Sequence, residues 1–302
     1  MTKTYAPTMI TETIGFFPGS VNIGIVVTAD GAVLIDSGLD TQTAKKTKKG
    51  LDEISQPLHA IIQTHSHADH FGGNHYLLAQ YPNTRVYAPV LEAAIIENPI
   101  LEPIYLGMGA EPLAELRNKF LLAEPSRVDQ LLPEKGPLKI SDRTFEIIPL
   151  PGHSWNQCGV VVDGICFAAD SYYSPEVLQK HRLPFLVDAE ETVKSVRLLQ
   201  QTAYLGYIPG HGDFETDCKE TLQYNLEYHQ TILEQIHELY TIHPSSLEEG
   251  LQIICEKREI NITNMTSYVL FRTAFMGYVV GLNKQGRLEY EFKENRLMIR
   301  GK

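Results

Sequence analysis

The chain has 302 residues, 43% hydrophobic and 21% charged, with 26 Lys and Arg against 37 Asp and Glu, a net charge of -11. That length accommodates one large core or two smaller ones, and nothing in the composition signals disorder or low complexity. The acidic balance has the wrong sign for gripping nucleic acid through its phosphates, and no apolar run reaches membrane-spanning length.

The opening stretch Met1-Thr2-Lys3-Thr4-Tyr5-Ala6-Pro7 lacks the apolar segment of a secretory leader, so a reducing cytoplasm is the expected compartment. Up to about residue 215, short strands alternate with helices. Residues 23–28 and 32–36 read as a hairpin about Ala29-Asp30-Gly31. Residues 58–63 read as a buried strand, 74–80 and 90–97 have helical spacing, and 85–88 is a strand between those two. The stretch 99–133, with Pro103, Pro112, Pro125 and Gly107-Met108-Gly109, reads as an irregular insert holding a short helix near 113–122. Strands follow at 145–150, 160–162 and 165–168, the last two joined by a tight Asp163-Gly164 turn. A helix at 192–202 then precedes a buried strand at 205–208.

After His211 the pattern changes. Leu222, Leu226, Leu233, Ile236 and Leu239 recur near a helical period through 221–242, and 265–282 predicts another helix. A small hairpin at 287–292 and 297–299 closes the chain. The expected organisation is a catalytic domain over 1–215 and a helical appendage over 216–302, wing-like by virtue of its hairpin. Packing and shaping a pocket is the commoner use of such an appendage; binding nucleic acid is the rarer one.

The chemistry concentrates in Thr64-His65-Ser66-His67-Ala68-Asp69-His70, directly after an apolar strand. His65 and His67 alternate, which lets two imidazoles face one ion, and Asp69 and His70 can serve a second ion close by. Two ions about 3.5–4 Å apart form a hydrolytic clamp. The bland alternative is a polar loop of hydrogen-bonding histidines. Against it, Pro151-Gly152-His153 and Pro209-Gly210-His211 both follow apolar strands, and Phe167-Ala168-Ala169 delivers Asp170 at the end of another. Glycine ahead of His153 and of His211 lets the backbone turn sharply and approach closely. The other histidines (His59, His75, His181, His229, His237, His243) lack such frames and read as structural or surface residues. Cys158, Cys166, Cys218 and Cys255 contain no C-x-x-C pair and read as neither a disulfide framework nor a thiolate zinc site.

With H-x-H-x-D-H at 65–70 followed in order by a His, an Asp and a His, the chain resembles the metallo-β-lactamase fold superfamily over roughly residues 8–215. The resemblance implies an α/β fold, a four-layer αβ/βα sandwich with the metals at one edge between two sheets. It implies that His65, His67 and His153 hold one metal, that Asp69, His70 and His211 hold the other, and that Asp170 bridges them. Asp36, in Leu34-Ile35-Asp36-Ser37-Gly38, is implied as a carboxylate supporting the site from behind. Five imidazoles and two carboxylates suit two divalent ions, zinc foremost, and are open to Fe, Mn or Co.

Between two such ions a bridging water ionises near neutral pH and becomes a nucleophile. Asp69 is the carboxylate best placed to orient it or shuttle its proton. Tyr173, three residues after Asp170, can donate to a developing oxyanion or simply pack under the helix that follows. Quorum-sensing lactonases of the superfamily are similar in placing a tyrosine three residues past this Asp. True β-lactamases generally lack the bridging Asp, and flavodiiron members replace the second His of the cluster with Glu, so Asp170 and His67 point away from both. The expected activity is hydrolysis of an acyl bond, as in lactonases and glyoxalase II, with a small-molecule substrate. Lys180-His181-Arg182 supplies positive charge not far after the bridging ligand, but the glutathione-anchoring pattern of glyoxalase II is not recognisable. The alternatives are a phosphodiesterase or endoribonuclease, favoured by the terminal helix and hairpin, and a metal-bearing binding protein without turnover. Sequence leaves the oligomeric state open.

Overall fold

The computed structural model describes residues 5–302; Met1 to Thr4, part of the stretch read for a leader, lie outside the described residues. The chain divides into two compact units. The first runs to Leu150 and adds Trp155–Ser171 and Ala203–Cys218, while the second comprises Pro151–Ser154, Tyr172–Thr202 and Lys219–Lys302.

In the first unit, seven strands form one sheet in chain order: β1 (Thr8–Met9), β2 (Ile14–Phe17), β3 (Ile23–Thr28), β4 (Gly31–Ile35), β5 (Leu58–Ile62), β6 (Arg85–Ala88) and β7 (Gln130–Leu131). The pairing is antiparallel through β4 and parallel from β4 to β7. A second sheet runs in the order β12-β11-β10-β9-β8, from β8 (Gly136–Ile140), β9 (Arg143–Pro149), β10 (Cys158–Val162), β11 (Ile165–Ala169) and β12 (Gly206–Pro209). Alternate residues explain how the sheets meet. Val33 and Ile35, Ala60 and Ile62, Phe145 and Ile147, and Cys158, Val160 and Val162 all join one buried cluster drawn from both sheets. On the other face of the first sheet, Ile23, Ile25, Leu34 and Ile61 pack with Ala44 and Leu51 of α1 (Thr41–Glu53) and Leu77 of α3 (Asn74–Gln80). Asp40 starts α1 by accepting from the amides of Gln42 and Thr43. Between these helices lies the four-residue α2 (Ala68–Phe71), and after β6 come α4 (Val90–Glu97) and α5 (Leu101–Leu106).

The insert differs from expectation. Only a single 3-10 turn, Ala114–Leu116, forms within 113–122. There Asn118 turns its own side chain onto the backbone, Oδ1 accepting from Phe120 N at 3.0 Å, an alternative to helical bonding. A helix forms instead at Leu101–Leu106, where Pro103 sits in the first turn and its missing N–H does no harm.

The second unit holds α6 (Pro175–His181), α7 (Ala189–Gln201), α8 (Lys219–Ile242), α9 (Leu247–Lys257), α10 (Met265–Lys284) and a hairpin of β13 (Leu288–Lys293) and β14 (Arg296–Gly301). Ile232, Leu233 and Ile236 of α8 pack with Leu251 and Ile254 of α9, with Phe275, Tyr278 and Leu282 of α10, and with Leu288 and Ile299 of the hairpin. Ser246 and Asn264 cap α9 and α10 with their side-chain oxygens. Glu294 and Asn295 both take positive φ in the two-residue hairpin turn, as its twist requires. No helix among the described residues is long and apolar enough to cross a membrane, and all four cysteines are free and buried.

His229 of α8 is enclosed in this core, its Nδ1 2.8 Å from the Tyr278 hydroxyl, and burial pushes its pKa down to about 4. The unfolded chain therefore takes up a proton on this ring near pH 6.5 while the folded chain refuses it until about pH 4. The stabilising contribution is full above pH 6.5 and is lost as the pH falls toward 4. Between pH 7.5 and pH 5 we expect His229 to account for a fall of about 2 kcal/mol. Urea unfolding of wild type and His229→Gln at both pH values measures it; the same pH dependence in both would remove His229 as the cause.

Candidate metal centre

Strand ends and the turns after them carry the first unit's candidate ligands. Directly after β5, the chain runs through Thr64, His65, Ser66 and His67 into α2, which carries Asp69 and His70. β11 ends at Ala169 and delivers Asp170, and β12 ends at Pro209 two residues before His211. The β11–β12 register shifts between Phe167 and Ala169, and Ala169 holds φ 49°, so a bulge and a left-handed residue aim Asp170 away from the strand's regular alternation.

The ligand atoms converge. One atom each of His65, His70 and Asp170 lie within 4.8 Å of one another, as do those of Asp69, His70 and His211, so the two groups share His70. Asp170 Oδ1 is 3.3 Å from His70 Nε2, and its Oδ2 is 3.2 Å from His211 Nε2. The His65 and His67 rings meet edge to face, centroids 4.7 Å apart. His65, His70 and Asp170 are buried, while Asp69 and His211 are partly open to solvent.

Hydrogen bonds behind the rings set their tautomers. Asp36, immediately after β4, accepts from Thr64 N and Thr64 Oγ1, both at 2.8 Å, and from His70 Nδ1 at 2.8 Å. Because the Thr64 hydroxyl gives its hydrogen to Asp36, it accepts from His65 Nδ1 at 3.0 Å. His211 Nδ1 donates to Ser20 O at 2.6 Å. All three rings thus carry a proton on Nδ1, and His70 and His211 turn Nε2 toward Asp170, the arrangement that prepares imidazole for a metal.

Charge follows the same plan. Burial opposes ionisation of His70, but Asp170, Asp36 and Asp69 outweigh it and hold its pKa well above the usual value. Asp170 raises His211 to about 9. Burial would also raise Asp170, yet His211 and His70 hold that carboxyl well below the usual range. His67 faces no such excess of carboxylate, and burial takes it down to about 4. A cation bound among these groups would take over the positive charge and release the ring protons.

The donors are imidazole nitrogens and carboxylate oxygens in two tight groups, which suits a divalent ion of borderline character. Gly210 makes room for them. A Cβ at that position would lie 2.0 Å from Asp170 Oδ1 and 3.1 Å from His70 Cε1, so its glycine serves close approach rather than a special φ. Gly152 does take a positive φ, 128°, against the backbone of Thr192.

His153 and Tyr173 belong to the second unit. His153 Nδ1 lies 3.1 Å from Phe185 O and 3.0 Å from the Tyr173 hydroxyl, so Nδ1 carries a proton in this ring too. Tyr173 is anchored by Asn225, which accepts from its amide and donates to its carbonyl at 3.0 and 2.7 Å.

Two supporting residues escaped the sequence reading. Gln157 Oε1 accepts from the Asp170 amide at 3.3 Å while its Nε2 donates to Leu150 O. Glu92, buried in α4, binds Ser66 between the two alternating histidines. Only the charge of Glu92 within the apolar stretch Val90–Glu97 hinted at a buried role.

Comparison with known proteins gives a consistent picture. A family profile described as the metallo-beta-lactamase superfamily matches residues 16–211. A protein of Streptococcus pyogenes serotype M6 named "Probable metallo-hydrolase" is 26% identical over 215 residues, 70% of this chain and 87% of its own length. Hydroxyacylglutathione hydrolase 1 of Vibrio vulnificus is 24% identical over 152 residues, and the match spans half of this chain and 47% of that enzyme. Among solved structures, a metallo-beta-lactamase family protein of Thermus thermophilus aligns with TM-score 0.74 at 16% identity, covering 97% of this chain and 100% of its own. A beta-lactamase domain protein of Burkholderia ambifaria gives 0.72 at 18% identity, covering 99% and 94%. At such identities the structural matches speak for the fold, including the helices that follow residue 216.

Proposed function

Because the chain belongs to the metallo-β-lactamase superfamily, we propose that it is a two-metal hydrolase of an acyl bond: a lactone, ester or thioester. The observation that carries this reading is the pair of ligand groups sharing His70, with Asp170 within reach of both His70 and His211. His65, His67 and His153 would hold one divalent ion, Asp69, His70 and His211 the other, with Asp170 common to both. Zinc is our first choice on donor chemistry, with Fe, Mn and Co as the other candidates. Once bound, the ions supply Lewis acidity and lower the pKa of water.

The chain's own residues do the rest. Asp36 holds His70 and, through Thr64, His65 in the ligating tautomer. Asp69, more open than its neighbours, accepts and passes on the proton of the attacking water. Tyr173 donates to the carbonyl oxygen as charge develops there, and its bond to His153 keeps that ring in place. We assign catalysis to residues 1–215. Four buried free thiols fit a reducing cytoplasm.

The test is the initial rate of metal-loaded protein on a lactone and on a glutathione thioester, with His67→Ala as control. Turnover lost in the control supports acyl hydrolysis, and the preferred substrate separates a lactonase from a glyoxalase II-like enzyme. Equal, background-level rates in both proteins would sink the acyl reading and turn attention to phosphodiesters.

A further inference from the structure

We propose that Glu92 is a positioning residue that sets the spacing between the His65–His67 loop and Asp170; this rests on the reading of these residues as metal ligands. Glu92 lies in the first turn of α4 with 1% of its surface exposed. Both carboxylate oxygens are engaged, and by different loops. Oε2 accepts from Ser66 N at 3.0 Å and from Ser66 Oγ at 2.5 Å, while Oε1 accepts from Asn156 N at 2.7 Å. Asn156 answers by accepting from Leu91 N at 3.2 Å, which closes the loop back onto α4.

Each end of this clamp is next to a ligand. Ser66 is the single residue between His65 and His67, so holding its amide fixes the backbone that carries both imidazoles. Asn156 precedes Gln157, whose side chain holds the Asp170 amide and donates to Ser171 Oγ at 3.2 Å. One carboxylate therefore links the backbone of the paired histidines to the backbone that presents the bridging acid. A neutral side chain could not reproduce this, because two backbone N–H groups and a hydroxyl all point at the same two oxygens. Hydrogen bonds from neutral donors to a buried carboxylate are among the stronger ones in proteins.

Glu92→Gln is the direct test, since the amide keeps the size but turns one acceptor into a donor facing a backbone N–H. Zinc affinity, measured by competition with a chromophoric chelator, should fall about 10–100-fold with the far-UV circular dichroism unchanged. The Co(II)-loaded variant should show a d–d absorption band displaced from that of wild type. Ser66→Ala, which removes only the hydroxyl bond, should lose about tenfold in affinity, and carries the test if Glu92→Gln does not fold. A folded Glu92→Gln, or in its place Ser66→Ala, with wild-type affinity and an unshifted band overturns the proposal while leaving the metal site standing. Wild-type protein that binds no zinc or cobalt would bring down the metal-site reading and this inference together.

Discussion

Asp69→Ala should lower kcat by about 10²–10⁴-fold, the range expected when a positioned acid–base group is removed. Asp69 stands at the start of α2 with a third of its side chain open to solvent, its Oδ2 3.6 Å from His211 Nε2. The other acids at the site are committed elsewhere. Asp36 is occupied by Thr64 and His70, and Asp170 is buried between His70 and His211. Of these three carboxylates Asp69 is the one in contact with solvent, which a proton-shuttling group needs. Metal content measured on the same sample separates its two roles. Two ions retained with turnover lost assigns the proton; one ion lost together with turnover assigns ligation. Wild-type kcat with both ions bound would take Asp69 out of the mechanism.

Gly210→Ala should weaken binding of at least one ion by about 10–100-fold, with activity falling alongside. The reason is crowding without an exit. The Gly210 amide donates to Ala169 O at 2.7 Å and its carbonyl accepts from Asn22 N at 2.8 Å, while Asn22 Nδ2 holds Pro209 O at 2.9 Å. That backbone cannot retreat, so an added methyl 2.0 Å from Asp170 Oδ1 must displace the carboxylate. Asp170 is short, and its amide is tied to Gln157, so it moves only by turning away from His70. Isothermal titration with zinc, alongside a thermal melt, checks this. Unchanged zinc affinity in a folded variant would mean the close approach is not needed for binding.

Much of the candidate site was legible in the sequence because the residues proposed as ligands lie at strand ends, where the apolar run that predicts the strand also predicts where the side chains emerge. The strand ending at Ile62 and the helices Asn74–Gln80 and Val90–Glu97 emerge as the sequence predicts, since period and boundary residues agree there. α5 was hidden by Pro103, which reads as a breaker unless one knows it lies in a first turn. α1 went unread because Ala44 and Leu51 are its only buried apolar side chains. The supporting side chains were illegible for a different reason. Glu92 and Ser66 are 26 positions apart and Gln157 and Asp170 are 13 apart, with no periodicity linking either pair. Sequence spacing reports what one element does to itself; contacts between separate loops leave no such trace.

Asp36 follows its strand with φ 64°, in the left-handed region that side chains other than Asn and Asp rarely enter. Its carboxylate must also accept three hydrogen bonds at 2.8 Å, one of them from the His70 ring. The two demands leave almost no substitutes. Glycine tolerates the backbone but has no acceptor; asparagine tolerates it but replaces one acceptor with a donor. Glutamate keeps the charge but is longer and less at ease at positive φ. Position 36 therefore has an alphabet of essentially one letter, and of all the residues around the centre it should be the slowest to drift.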